Sequence, residues 1–108
     1  MDQDIGTGAP RNGRFGVEVH RPQPAVVVLR LAGDVDAAAA RELDRILDAA
    51  AADRDGPVRI AIDMERVRLL TAEAVDVLVR AEQRFGARGG AVQMYAMSPA
   101  VLLMLHDA

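Results

Sequence analysis

Two short segments of the chain carry acidic and hydroxyl side chains close together. Gly33, Asp34 and Asp36 follow a run of apolar residues, and Thr71 stands two residues before Glu73. A hydroxyl in such a place can cap a helix. Carboxylates can bind a divalent cation or form the polar rim of a protein-docking site. Which role applies depends on the elements that position the two segments.

Composition excludes several kinds of catalytic site. The chain has no cysteine, and all 13 of its basic residues are arginine. Thiolate nucleophiles, zinc–cysteine sites, Schiff-base chemistry and the lysine of a P-loop are therefore excluded. His20 and His106 are far apart and fit no metal-ligand spacing, and Ser98 before Pro99 is typical of a helix start rather than of a catalytic triad. We expect a non-enzymatic protein that needs no cofactor.

Length and charge limit the domain count and the partners. The 108 residues suffice for one domain, and the net charge of −3 argues against binding to nucleic acid. Residues 1–14, rich in Gly, Asp, Asn and Pro, are predicted to be a flexible tail, and residues 15–108 the folded domain. The sequence shows neither a secretory signal nor an apolar stretch that could span a membrane. We expect a cytoplasmic protein without membrane insertion.

Hydrophobic patterns predict four strands. Strict alternation predicts the first, and a β-branched apolar run predicts a second that is buried on both faces. The prolines at 22 and 24 predict a turn between them, so this pair is antiparallel. Residues 33–36 are expected to break the second strand, and residues 64–70 to connect the third strand to a helix. The predicted strands cover 15–20, 25–32, 58–63 and 91–96.

Apolar stripes of helical period predict two helices, over residues 37–52 and from 72 to about 85. Asp36 is the predicted N-cap of the first, and Ser98 opens a third helix that runs to the end of the chain. The order β-β-α-β-α-β-α predicts an α/β fold with a four-stranded mixed sheet, the first strand antiparallel and the others parallel through right-handed crossovers.

Carboxylates are predicted to gather at one end of this sheet. Asp34, Asp36 and Asp63 all lie at or just after the expected carboxyl ends of strands. Ligands of open α/β sheets bind at that end. The three side chains therefore predict a polar rim for protein docking or, alternatively, a divalent-cation site.

The order of elements and two motifs resemble the STAS domains of bacterial anti-sigma-factor antagonists. The run VVVLRLAGDVDAAAARELDRIL is similar to the buried strand, Gly-acidic-x-Asp segment and amphipathic helix of that family, with Gly33, Asp34 and Asp36 in the matching places. The segments IAIDMERVRLLTAEAVDVLVRA and GARGGAVQMYAMSPAV resemble the family's third strand, central helix, fourth strand and last crossover. The resemblance covers roughly residues 15–105 and implies the STAS fold.

The family's phosphorylation motif is degenerate in this chain. That motif is Asp-Ser-(Ser, Thr or Ala)-Gly at the start of the central helix, and the anti-sigma factor, a kinase, phosphorylates its serine. Aligned without gaps, Thr71 falls on the Asp, Ala72 on the phosphorylated Ser and Ala74 on the Gly. Thr71 is then either a helix cap or a displaced phosphoacceptor. Glu73 is either one of the acidic residues that commonly occupy the first turn of a helix, or a fixed charge that imitates the phosphorylated state.

The resemblance also implies a partner, an anti-sigma factor with a kinase-like fold. Its expected docking site consists of the residues around the two acidic segments: Gly33, Asp34, Asp36, Thr71, Ala72 and Glu73.

The last predicted helix is unusually apolar and the chain ends soon after it. It contains Leu102, Leu103 and Met104 and no charge before His106. A helix that is apolar all round needs partners on both sides. These three residues are predicted to form a homo-oligomer or partner interface, unless the helix sits deeper in the domain because the family's C-terminal extension is shortened.

Two functions remain open at this point. The first is a regulatory, protein-binding module that sequesters an anti-sigma factor and so releases a sigma factor, without the usual serine phospho-switch. The second is a structural STAS subunit of a larger assembly, such as a lipid-transport ATPase complex or a stress-signalling particle. The lost phosphoacceptor and the apolar last helix both favour the second function, in which the partner is permanent.

Overall fold

The part of the chain that the structure describes forms a four-stranded sheet with helices packed on one of its faces. A computed structural model describes residues 14–53, 55–99 and 101–103. Its elements are β1 (Gly16–Gln23), β2 (Val26–Val35), α1 (Ala37–Ala52), β3 (Arg59–Leu70), α2 (Ala72–Ala87) and β4 (Ala91–Tyr95). A further helix, α3, begins at Pro99 and is described at residues 99 and 101–103. The tail predicted over 1–14 lies outside the described residues except for Arg14.

The predicted fold class is confirmed. The strand order is β1-β2-β3-β4, with β1 antiparallel to β2 and the remaining pairs parallel. The described residues form an α/β fold with a mixed sheet and three helices. The two strands of each parallel pair follow one another along the chain. Right-handed crossovers between them therefore place α1 and α2 on the same side of the sheet.

The core lies between the helices and the face of the sheet that they cover. Val27, Leu29 and Leu31 of β2 are buried, whereas Val28 is half-buried and Arg30 is exposed. The prediction that β2 is buried on both faces is therefore wrong, because the described helices cover one face only. The buried cluster joins the inward residues of the sheet to the apolar stripes of the helices, among them Ile60, Ile62, Leu43, Leu47, Leu78 and Phe85.

β3 is much longer than predicted. The strand runs without interruption from Arg59 to Leu70, so the expected connection over 64–70 is wrong. Residues 66–70 pair with the last residues of β2, and the register shifts twice along the way. Each shift inserts an unpaired residue into β3. These bulges interrupt the two-residue alternation that would have indicated a strand.

β2 extends correspondingly past its predicted end. Gly33, Asp34 and Val35 belong to the strand, so the break predicted over 33–36 occurs only at Asp36. Gly33 adopts φ +85° beside a register shift, a conformation that glycine tolerates without a steric penalty. The ladder with β3 maintains the strand where local propensity favours a turn.

β1 also differs from its predicted bounds. It continues through Pro22 to Gln23, and the turn lies at 24–25 rather than 21–24. β1 is an edge strand with irregular register between His20 and Gln23. Proline is tolerated there because its missing N–H removes no essential ladder hydrogen bond.

Candidate functional site

The two acidic segments meet at the carboxyl end of the sheet. Val35 and Leu70 are paired at the ends of β2 and β3, and the amide of Thr71 donates to the carbonyl of Val35 at 3.1 Å. Helices α1 and α2 begin immediately afterwards. Asp36 and Thr71 are therefore held side by side, although they lie far apart in the sequence.

Asp36 caps α1 as predicted. Its backbone is extended, with φ −86° and ψ −170°, and its Oδ1 accepts a hydrogen bond from the amide of Ala39 at 2.9 Å. Its own carbonyl accepts the first intrahelical bond, from the amide of Ala40 at 2.8 Å. This arrangement satisfies one of the amides that every helix start leaves unpaired.

Thr71 caps α2 and also binds the neighbouring strand. Its Oγ1 accepts from the amide of Ala74 at 3.4 Å and donates to the carbonyl of Val35 at 2.9 Å. The single proton of the hydroxyl is thus used in a hydrogen bond within the fold. Of the two roles predicted for Thr71, the structure supplies the contacts of the helix cap.

Ser98 repeats this arrangement at α3. Its Oγ accepts from the amide of Val101 at 3.2 Å and donates to the carbonyl of Val67 at 3.1 Å. The predicted cap is confirmed. The bond to a strand carbonyl was not predicted for either hydroxyl, because it depends on strand pairing between residues more than thirty positions apart.

We call the exposed residues at these helix starts, Asp36, Ala72 and Glu73, together with the half-buried Thr71, the capping surface. Glu73 stands in the first turn of α2, where a negative charge favours the helix. It forms no ion pair with any residue in the described part of the chain. The surface thus presents two carboxylates and a small methyl side chain to solvent.

The remaining predicted docking residues lie beside this surface in different environments. Asp34 is half-buried in β2, paired in register with Leu69. Gly33 is buried. Gly33 can therefore shape the backbone before Asp36 but offers no side chain for contact.

The predicted cluster of three aspartates does not form. Asp63 lies within β3, paired with Arg30, because the strand continues to Leu70. Its Oδ1 accepts from the amide of Glu65 at 2.9 Å, and its Oδ2 is 4.0 Å from Nε of Arg30. Across the described ranges, no group of three His, Cys, Asp or Glu side chains could hold a metal ion.

The residues predicted for an oligomer interface are described in part. Leu102 is 51% exposed and Leu103 is 67% exposed. Val101, on the same helix, is fully buried in the core. Met104 lies outside the described residues, as does His106.

His20 is exposed on β1, with Nε2 at 3.6 Å from Oε1 of Glu18. Among the described helices, none has the length and apolar character needed to span a membrane.

Comparisons with known proteins give a family and a fold. Residues 19–108 match the family described as "Mlab, STAS domain". No curated protein sequence matches the chain significantly.

Three solved structures show the likeness of the fold. The anti-sigma factor antagonist SpoIIAA in its unphosphorylated form is 20% identical, with a TM-score of 0.76 over 85% of this chain and 79% of that one. An anti-sigma factor antagonist from Mycobacterium paratuberculosis is 23% identical, with a TM-score of 0.74 over 90% and 80% of the two chains. SpoIIAA of Bacillus in its phosphorylated form is 17% identical, with a TM-score of 0.70 over 85% and 82%.

Proposed function

The chain belongs to the STAS domain family, and from this membership we propose that it is a regulatory module that binds an anti-sigma factor through the capping surface. The partner is a kinase-like protein, and binding releases the sigma factor that this partner would otherwise hold. The solved structures with the same fold are described as anti-sigma factor antagonists, which supports this class of partner.

The observation that carries the proposal is the adjacency of the two helix starts. Thr71 is bonded to Val35, the residue before Asp36, by both its amide and its hydroxyl. The carboxylates of Asp36 and Glu73 are consequently presented at one edge of the sheet, at two helix starts that these bonds hold together. A preorganised polar surface loses little conformational entropy when a partner binds.

We further propose that this surface lacks a phospho-switch. A phosphate at a helix start would add about −1.5 to −2 charge to the docking face and repel a partner that fits the neutral form. The solved SpoIIAA structures include a phosphorylated and an unphosphorylated form. In this chain Ala72 has no hydroxyl, and the hydroxyl of Thr71 is engaged at both its donor and its acceptor. Binding is then constitutive.

The test is a calorimetric titration of the purified chain against a panel of cytosolic anti-sigma kinases, followed by incubation of each mixture with ATP and mass spectrometry. The proposal expects saturable binding to at least one kinase and no phosphate on Thr71. The absence of binding to every kinase contradicts the docking proposal. Phosphate on Thr71 contradicts the constitutive one.

A second function, a permanent STAS subunit of a larger assembly, is favoured by the exposed Leu102 and Leu103 on α3. A lipid-transport ATPase complex or a stress-signalling particle would provide such an assembly. Affinity purification of the tagged chain from its own cells distinguishes the two functions. A stoichiometric complex that survives extensive washing supports the subunit, whereas a reversible complex with one kinase-like protein that is removed by washing supports the regulator.

A further inference from the structure

The outer edge of β4 carries unpaired backbone groups. The amide of Ala91 donates to the carbonyl of Val58 at 3.2 Å, so the polar groups of Ala91 face β3. Backbone groups alternate in direction along an extended strand. Those of Val92 and Met94 therefore point away from β3, and no described strand pairs with them.

The two edges of the sheet differ in how they discourage pairing. β1, at one edge, carries Glu18, Arg21 and Pro22. Charges and proline are the usual devices that keep an edge strand from pairing with another chain. β4, with the sequence Ala91-Val92-Gln93-Met94-Tyr95, has neither. The β4 edge is the one that is suited to accept an additional strand.

An open groove of about 580 Å³ follows this edge. Its apolar lining includes Met94 and Met97, which are both half-buried. Unbranched methionine side chains adapt to differently shaped apolar groups. The groove therefore offers an apolar subsite directly beside the unpaired backbone.

Among the described residues that line the groove, the charged one is Glu82 of α2. It is exposed and makes neither a hydrogen bond nor an ion pair with any residue that the structure describes. A carboxylate at the rim favours an occupant with a positive charge opposite it. A second copy joined through β4 would instead bring two Glu82 side chains towards each other.

We propose that this β4 groove binds an extended, basic segment of a partner protein as a fifth strand of the sheet. The backbone of the segment pairs with Val92 and Met94, an apolar side chain packs on Met94 and Met97, and an Arg or Lys side chain faces Glu82. Backbone pairing supplies the affinity and the alternate side chains supply the selectivity, as in other cases of strand addition.

The β4 groove is distinct from the capping surface. Glu82 follows Glu73 by nine residues on α2, which is about two and a half helical turns, or roughly 13 Å along the axis. Because two and a half turns leave a net rotation of half a turn, the two carboxylates lie on opposite sides of the helix. A variant at one of them thus serves as the control for the other.

The experiment is a titration of the isotope-labelled full chain, followed by amide chemical shifts, with two capped hexapeptides of alternating Val and Thr that differ only in a central Arg or Glu. We expect shift changes at residues 91–95 and binding of the Arg peptide about fivefold tighter than the Glu peptide. Glu82→Arg should abolish or reverse this preference, and Glu73→Arg should leave it unchanged. A preference that Glu82→Arg does not alter overturns the assigned role of Glu82.

Backbone pairing has its own control. N-methylation of one alternate set of residues in the Arg peptide should abolish binding, and N-methylation of the other set should leave it nearly intact. Equal effects of both sets, or shift changes confined to other parts of the chain, overturn strand addition.

Shift changes on dilution without peptide would identify a second copy as the occupant. Binding only after removal of residues 104–108 would identify the chain's own terminus, and either result overturns the proposal.

Discussion

The hydroxyl of Thr71 donates to the backbone carbonyl of Val35 at 2.9 Å, so the residue that begins α2 also fastens that helix to the end of β2. Ser98 makes the equivalent bond to Val67 of β3. Each hydroxyl fixes one helix start relative to the neighbouring strand. The starts of α2 and α3 are consequently tied to the neighbouring strands at the carboxyl end of the sheet.

Loss of the Thr71 hydroxyl should destabilise the fold. Thr71→Val keeps the shape of the side chain but removes both the cap on Ala74 and the donor to Val35. We expect the free energy of unfolding to fall by about 1–2 kcal/mol, the usual cost of losing an N-cap. Urea denaturation measures this change, and Thr71→Ser, which retains the hydroxyl, should remain within about 0.5 kcal/mol of the wild type. Equal stability of the Val and wild-type proteins would show that the hydroxyl bonds contribute nothing.

Two glycines near the end of α2 should respond in opposite directions. A Cβ at Gly90 would lie 2.1 Å from the carbonyl oxygen of Val58, which accepts the bond from Ala91 that joins β4 to β3. Gly90→Ala should therefore cost at least about 2 kcal/mol, as expected of an overpacked site that cannot relax. A Cβ at Gly86 meets no atom within 4 Å.

Gly86→Ala is the matched control for that variant. Gly86 lies in the last turn of α2, has no positive φ and is exposed, so alanine there should raise stability by about 0.4–1 kcal/mol through the lower entropy of the unfolded chain. Thermal unfolding of the two variants under identical conditions provides the measurement. If both alanines have the same effect, the close approach of Gly90 to Val58 is contradicted.

The exposed leucines of α3 should matter for association rather than for folding. Leu103 is 67% exposed, so Leu103→Glu should change the free energy of unfolding by less than about 0.5 kcal/mol. If this helix forms the proposed interface, sedimentation velocity should show concentration-dependent association of the wild type that Leu103→Glu abolishes. Val101→Ala, at a fully buried position of the same helix, should lower stability instead. A monomeric wild type at all concentrations would exclude self-association through α3.

Regular periodicity explains how much of the fold was predictable. The helices expected over 37–52 and from 72 are confirmed as α1 and α2, and the caps at Asp36, Thr71 and Ser98 are confirmed with their hydrogen bonds. These features depend on residues close in sequence, where apolar spacing and capping chemistry act directly.

The second half of β3 could not be read from the sequence. Its two bulges disrupt the alternation of apolar and polar residues, and pairing with residues 32–35 of β2 is a long-range contact. The same error moved Asp63 to the end of the sheet, where the prediction placed it beside Asp34 and Asp36. The resemblance to STAS domains placed Asp36 and Thr71 in one docking site, but the hydrogen bonds that hold them side by side were not predicted.

The capping surface is the central element of the proposed function, and charge reversal tests it most directly. The measurement is the calorimetric affinity of the chain for the anti-sigma kinase that binds it most tightly, with Glu73→Arg compared against Glu82→Arg on the opposite side of α2. We predict that Glu73→Arg weakens binding at least about tenfold while Glu82→Arg changes it less than about twofold. Equal affinity of the Glu73→Arg and wild-type proteins would contradict docking at this surface.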